Sequence, residues 1–86
     1  MTAFDFSQKE IARAFGTVLR TVRQERGISQ DRLAEICGLD RTYPSLVERG
    51  LRTPKLFTLL TLASALDISP GRLVVETDRR LRGERS

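Results

Sequence analysis

Apolar residues return at Ile11, Phe15, Val18, Leu19 and Val22, a spacing that lays them along one side of an α-helix. The start of that helix is marked by Ser7-Gln8-Lys9-Glu10, a capping box in which Ser7 and Glu10 satisfy each other's backbone amides. Phe6 and Ile11 flank the cap at the spacing of a hydrophobic staple, and Gly27 ends the run with Arg26 at the negative helix end. A second helix is predicted from the N-cap Ser29, with Asp31 in its first turn and Leu33, Ala34, Ile36 and Cys37 as its buried face. Gly38 then supplies a turn. A third helix is expected from the N-cap Asp40 to about Arg49, stopped by Gly50; Pro44 falls early enough in it to distort the start without breaking the helix. Thr53-Pro54 opens a fourth, whose Leu56, Leu59, Leu60, Leu62, Ala63 and Leu66 predict burial on most of its circumference. Ser69-Pro70 opens a fifth, carrying Leu73, Val74 and Val75. Past Glu76 the segment TDRRLRGERS is polar and arginine-rich, and the expectation is a fraying end. No stretch alternates with period two. The pattern predicts an all-α, compact five-helix bundle: one domain over residues 1–78 and a basic, flexible tail over 79–86.

Composition adds bounds. Eighty-six residues suffice for one core, and 40% hydrophobic with 30% charged residues is ordinary for a globular chain. The net charge of +4 favours an anionic partner, and thirteen of the fifteen cations are arginine, whose planar fork suits phosphates and guanine edges. One cysteine and no histidine exclude an internal disulfide framework, zinc-ligand spacing and a Cys/His nucleophile pair. No metal and no cofactor are expected. No apolar run approaches membrane-spanning length, and MTAFDFSQKE lacks a signal-peptide pattern, so a cytoplasmic protein without a membrane partner is expected. Nothing in so short a chain suggests a pocket for a small-molecule effector.

The segment Ser29–Arg52 reads as two short helices joined by a tight turn at Cys37-Gly38-Leu39. The second of them opens with an outward run of Arg41, Thr42 and Tyr43. A helix presented end-on and braced from behind by another fits the major groove of double-stranded DNA.

ISQDRLAEICGLDRTYPSLVERGLRTP, an apolar helix and then SPGRL resembles the Cro and phage-repressor type of helix-turn-helix domain, the XRE family, with the core of the match over residues 15–75. Ser29-Gln30, Leu33-Ala34, Gly38, Glu48-Arg49-Gly50, Thr53-Pro54 and Ser69-Pro70 carry the resemblance together. LDRTY followed by ER is similar to the small controller proteins of restriction–modification systems and to short plasmid or phage regulators. The resemblance implies a lambda-repressor-like fold and a bacterial, phage or plasmid setting. It implies base contacts from Arg41 and Thr42, and phosphate contacts from Gln30, Tyr43, Ser45, Arg49 and Arg52. Leu46 stands where the family has a polar groove reader, and could touch a thymine methyl. Pro44 stands in place of Ile, Val or Leu, which leaves the tilt of helix 3 open. Glu48 would be repelled by phosphate; the resemblance gives it a structural ion pair with Arg23 on helix 1.

Cys37 reads as a small core residue. Phe4 and Phe6 need cover, either by folding back on their own chain or at a seam between two chains. One such unit spans few base pairs, so the expected function is a sequence-specific transcriptional regulator binding a palindromic operator as a homodimer. Leu73, Val74 and Val75 are the expected dimer seam, because one short helix cannot bury three consecutive apolar residues on one face. The alternative is an antitoxin-type protein that binds a partner toxin and autoregulates its operon. An enzyme is the remote reading, since no histidine is present to serve as general base.

Overall fold

The computed structural model describes residues 4–85. Five helices follow one another: α1 (Gln8–Glu25), α2 (Gln30–Cys37), α3 (Tyr43–Glu48), α4 (Leu56–Ala65) and α5 (Pro70–Arg85). Among the described residues there is no strand. The all-α expectation holds, and the helices enclose one core: Phe15, Val18, Leu19 and Val22 from α1, Leu33 from α2, Val47 from α3, Leu62, Ala63 and Leu66 at α4, and Leu73 from α5.

Local chemistry sets the boundaries. At α1 the Ser7 hydroxyl accepts from the Glu10 amide and Glu10 accepts from the Ser7 amide, both at 3.0 Å, so the capping box forms as read. At α2 the Ser29 hydroxyl accepts from the Arg32 amide at 3.0 Å. The turn between α2 and α3 depends on Gly38, whose φ of 66° is left-handed. There the Leu39 amide bonds back to the Ala34 carbonyl at 2.9 Å, which closes the end of α2. The same closure ends α4 without a glycine. Asp67 takes φ 55°, and the Ile68 amide donates to the Ala63 carbonyl at 3.0 Å.

Two helix starts fall later than the sequence predicts. Asp40 caps a turn, and Thr42 is the N-cap of α3, so Pro44 takes the second helical position, where no amide donor is needed. Lys55, not Thr53, is the N-cap of α4, and it makes no side-chain cap bond. Pro54 instead lines a groove together with Ile11, Phe15 and Leu59.

Burial corrects three more expectations. Ile36 and Leu60 are nearly half exposed, and Leu56 is 71% exposed, so α4 hides only the face bearing Thr58, Leu62 and Ala63. Leu73 is fully buried in its own core rather than left for a partner, while Val74 and Val75 do point outward. Finally, α5 does not fray after Glu76. It continues to Arg85, because Leu73, Thr77 and Leu81 recur every fourth residue and all three are buried. The Thr77 hydroxyl donates to the Leu73 carbonyl at 2.7 Å, so this buried polar group is paired. Phe4 and Phe6 fold back on their own chain: their ring centroids lie 5.1 Å apart, and Arg82 of α5 stands 5.9 Å above Phe6.

The C-terminal half of α5 therefore belongs to the fold. Leu81→Ala should cost about 2–4 kcal/mol in denaturant unfolding, as expected for a buried leucine. A frayed end would give no measurable change.

Candidate nucleic-acid interface

Helix α3 is only six residues long, so its placement comes from what grips it. Glu48, its last residue, has a side chain just 3% exposed. Its carboxylate accepts from Arg23 Nε at 2.6 Å, from Arg23 Nη2 at 3.1 Å and from Gln30 Nε2 at 3.0 Å. Arg23 also donates through Nη1 to the Ile28 carbonyl at 2.7 Å. The expected Arg23–Glu48 pair is thus a bidentate bridge, joined by a third partner and tied to the loop before α2. Gln30 was expected to face phosphate; its amide nitrogen is committed to Glu48, with one further N–H and its carbonyl remaining.

One residue escaped the sequence reading. Gly16 lies seven positions before Arg23, on the same side of α1. A Cβ there would stand 2.4 Å from the Val47 carbonyl oxygen and 2.7 Å from that of Glu48. Only a bare α-carbon lets α1 come this close to the end of α3. The signal was available, because a glycine inside a strongly periodic helical run costs about 1 kcal/mol against alanine and asks for a packing reason.

At the other end of α3 the first two expected base-contact residues stand at the surface. Arg41 and Thr42 are exposed, and Leu46 is half-buried one turn on. Asp40 Oδ1 accepts from the Thr42 amide at 2.9 Å and from its hydroxyl at 2.6 Å, so the Thr42 side chain is fixed toward Asp40. Those Thr42 bonds, hydroxyl first, hold the Asp40 carboxyl below the usual carboxylate range. The turn is therefore intact at neutral pH and loosens only when acid protonates Asp40.

The expected phosphate contacts lie around this end and along the helix. Tyr43 is half-buried with its ring against the core; burial pushes its phenol up, opposed by the charge of Arg52 nearby. Ser45 is half-buried, and Arg49 and Arg52 are exposed. Arg49 Nε makes only a long bond to the Ser45 carbonyl, at 3.4 Å. Cys37 is half-buried against the core, and burial raises its thiol.

Residues 19–73 match the family HTH_3, described as helix-turn-helix. The chain belongs to that family, of XRE type. An uncharacterized HTH-type transcriptional regulator, y4dJ of Sinorhizobium fredii, is 34% identical over 76 residues, 88% of this chain and 99% of its own. The control protein C.SmaI of Serratia marcescens is 46% identical over 56 residues, 65% of this chain and 67% of its own. Among solved structures, the restriction-modification controller protein C.AhdI from Aeromonas hydrophila superposes with a TM-score of 0.70 at 48% identity, covering 72% of this chain and 94% of that one. The resemblance to controller proteins therefore holds, and the family is one of transcriptional regulators.

Breaking the clamp has a defined cost. Glu48→Ala and Arg23→Ala should each lower stability by about 3–5 kcal/mol, because each strands a buried charge. In a double-mutant cycle the double variant should lose little more than either single one. Additive losses would contradict a shared bridge. Gly16→Ala should also destabilise the fold and should weaken DNA binding beyond what its melting temperature explains.

Proposed function

We propose that this chain is a sequence-specific transcriptional regulator that binds a twofold-symmetric DNA operator as a homodimer, in the cytoplasm. Family membership supports the regulator, and one observation supports the reading site: Arg41 stands exposed at the head of a helix whose far end is locked to α1. In this reading Arg41 reads a base edge in the major groove, with Thr42 and Leu46 beside it. Gln30, Tyr43, Ser45, Arg49 and Arg52 hold flanking phosphates and set the register. Base contacts give discrimination and phosphate contacts give affinity, so the two sets are separable by experiment.

For the seam between protomers we favour the face shared by α2 and α4. Ile36, Phe57 and Leu60 gather there around one shallow depression, and Phe57 is 77% exposed. This patch carries larger apolar side chains than Val74 and Val75 on α5, which are left as the competing seam. A twofold axis through the working seam has to place two copies of α3 about 34 Å apart, one helical turn of DNA. The alternative is an antitoxin-type protein; residues 77–85 are part of α5 and are not themselves a wrapping segment for a partner.

Selection from random duplexes should recover a palindrome with two identical half-sites. Arg41→Ala should then cost about 1–3 kcal/mol and relax preference at one position per half-site. Arg52→Ala should weaken all duplexes alike and flatten the salt dependence. An unchanged ratio of specific to random binding in Arg41→Ala would overturn the assignment of the reading residue. In sedimentation, Phe57→Glu should give monomers while Val75→Glu leaves the dimer intact; the reverse pattern returns the seam to α5.

A further inference from the structure

Asp40 and Thr42 are bonded across the turn that leads into α3, and that bonding fixes what Thr42 has left to offer. A threonine hydroxyl carries one donor and two acceptor lone pairs, and its proton rotates to the best acceptor in reach. Here the hydroxyl donates to Asp40 Oδ1 at 2.6 Å, and the Thr42 amide donates to the same oxygen at 2.9 Å. The shorter distance is that of a bond to an ionised acceptor, about 2.5–2.7 Å and roughly twice as strong as one between neutral groups. These bonds, the hydroxyl's first, hold the Asp40 carboxyl below the usual carboxylate range, so the acceptor is charged at neutral pH. Both donors of Thr42 are thus committed within the turn. The residue itself is exposed, and its hydroxyl retains only lone pairs to present.

That remainder is selective. In the major groove guanine shows N7 and O6 and thymine shows O4, all acceptors, whereas adenine N6 and cytosine N4 carry amino groups that donate. A hydroxyl with its proton free serves either kind by rotating. One whose proton is held by a carboxylate can only accept. To bond guanine O6 or thymine O4, Thr42 would have to exchange a charge-assisted bond for one to a neutral carbonyl. If it does not, two acceptors face each other and both stay unsatisfied, which costs more than a bond never offered.

We propose that Asp40 is a specificity-determining positioning residue: by holding the hydroxyl proton of Thr42, it makes Thr42 an obligate acceptor that takes adenine or cytosine and rejects guanine and thymine at one position of each half-site. The proposal rests on the reading of α3 as the helix in the groove. It gives adjacent residues opposite chemistry, for Arg41 brings only donors and Thr42 only an acceptor. Asp40 acts through Thr42 and needs no contact with DNA of its own.

The test uses the full chain and duplexes in which each position of the selected half-site is changed in turn to all four bases. Thr42 makes no side-chain cap bond to α3, so Thr42→Val keeps the branched shape and leaves the helix's own bonds in place. The base it reads is the position where Thr42→Val alters the four-base profile. There the wild type should bind adenine or cytosine about tenfold more tightly than guanine or thymine, and Thr42→Val should lose that preference. Asp40→Ala frees the hydroxyl proton, so it should accept all four bases nearly alike at this position and keep the wild-type preferences at every other. A merely structural Asp40 would instead give Asp40→Ala a uniform loss with its profile unchanged, and that result would overturn the proposal. So would a wild type that prefers guanine or thymine at the Thr42 position, or a Thr42→Val profile identical to the wild type throughout. If Arg41→Ala still relaxes a position of its own in those cases, the reading of α3 stands and only the roles of Asp40 and Thr42 fall. A wild-type chain that prefers no duplex would take both down.

Discussion

Everything that presents α3 depends on one buried carboxylate. Glu48 sits at the end of a six-residue helix, too short to hold itself together by backbone bonds alone. Desolvating that carboxylate costs several kcal/mol, and two guanidinium bonds and one amide bond from α1 and α2 offset the cost. Such a bridge adds little net stability over an apolar contact. Its effect is geometric, because a planar fork and a carboxylate meet in one orientation only. The Arg23–Ile28 bond carries the same constraint into the loop that begins α2. Gly16, two turns earlier on α1, removes the side chain that would otherwise keep the α3 carbonyls away.

The two ends of α3 are thereby given different tasks. Its C-terminal end is fixed by burial, charge pairing and close backbone approach. Its N-terminal end is a turn organised by Asp40, at the surface, where Arg41 has no structural duty visible in the fold. A residue there can vary without disturbing the core, which suits a position that decides what is recognised. The opposite holds for Val47, fully buried between the helices.

Much of this was legible in the sequence, and most of the failures arise where tertiary packing decides. Caps and C-terminal glycines are local chemistry, so the Ser7 box, Ser29 and Gly38 read correctly. The later starts of α3 and α4 are tertiary outcomes. Pro44 is accommodated by a turn at Asp40, and Pro54 lies two residues before α4 begins, at the wall of a groove it shares with Ile11 and Phe15. Likewise Ile36, Leu56 and Leu60 have the right spacing to be buried, but no neighbour among the described residues covers them. The tail misled for the opposite reason. Its arginines mask a four-residue rhythm of buried positions, Leu73, Thr77 and Leu81, whose last member is separated from the preceding apolar residue, Val75, by five polar or charged residues. Asp67 closes α4 in a left-handed conformation usually given to glycine, which aspartate adopts more readily than most residues.

Amide hydrogen exchange on the free protein tests the clamp most directly, comparing wild type with Glu48→Gln. In the wild type the amides of Leu46, Arg49 and Leu51, all bonded within α3 and its end, should exchange only as slowly as those of the core around Leu19 and Leu62. In Glu48→Gln they should open locally and far faster, while the core amides keep the protection that the variant's global stability allows. Equal protection of α3 and core in the variant would contradict the claim that Glu48 holds α3 in place.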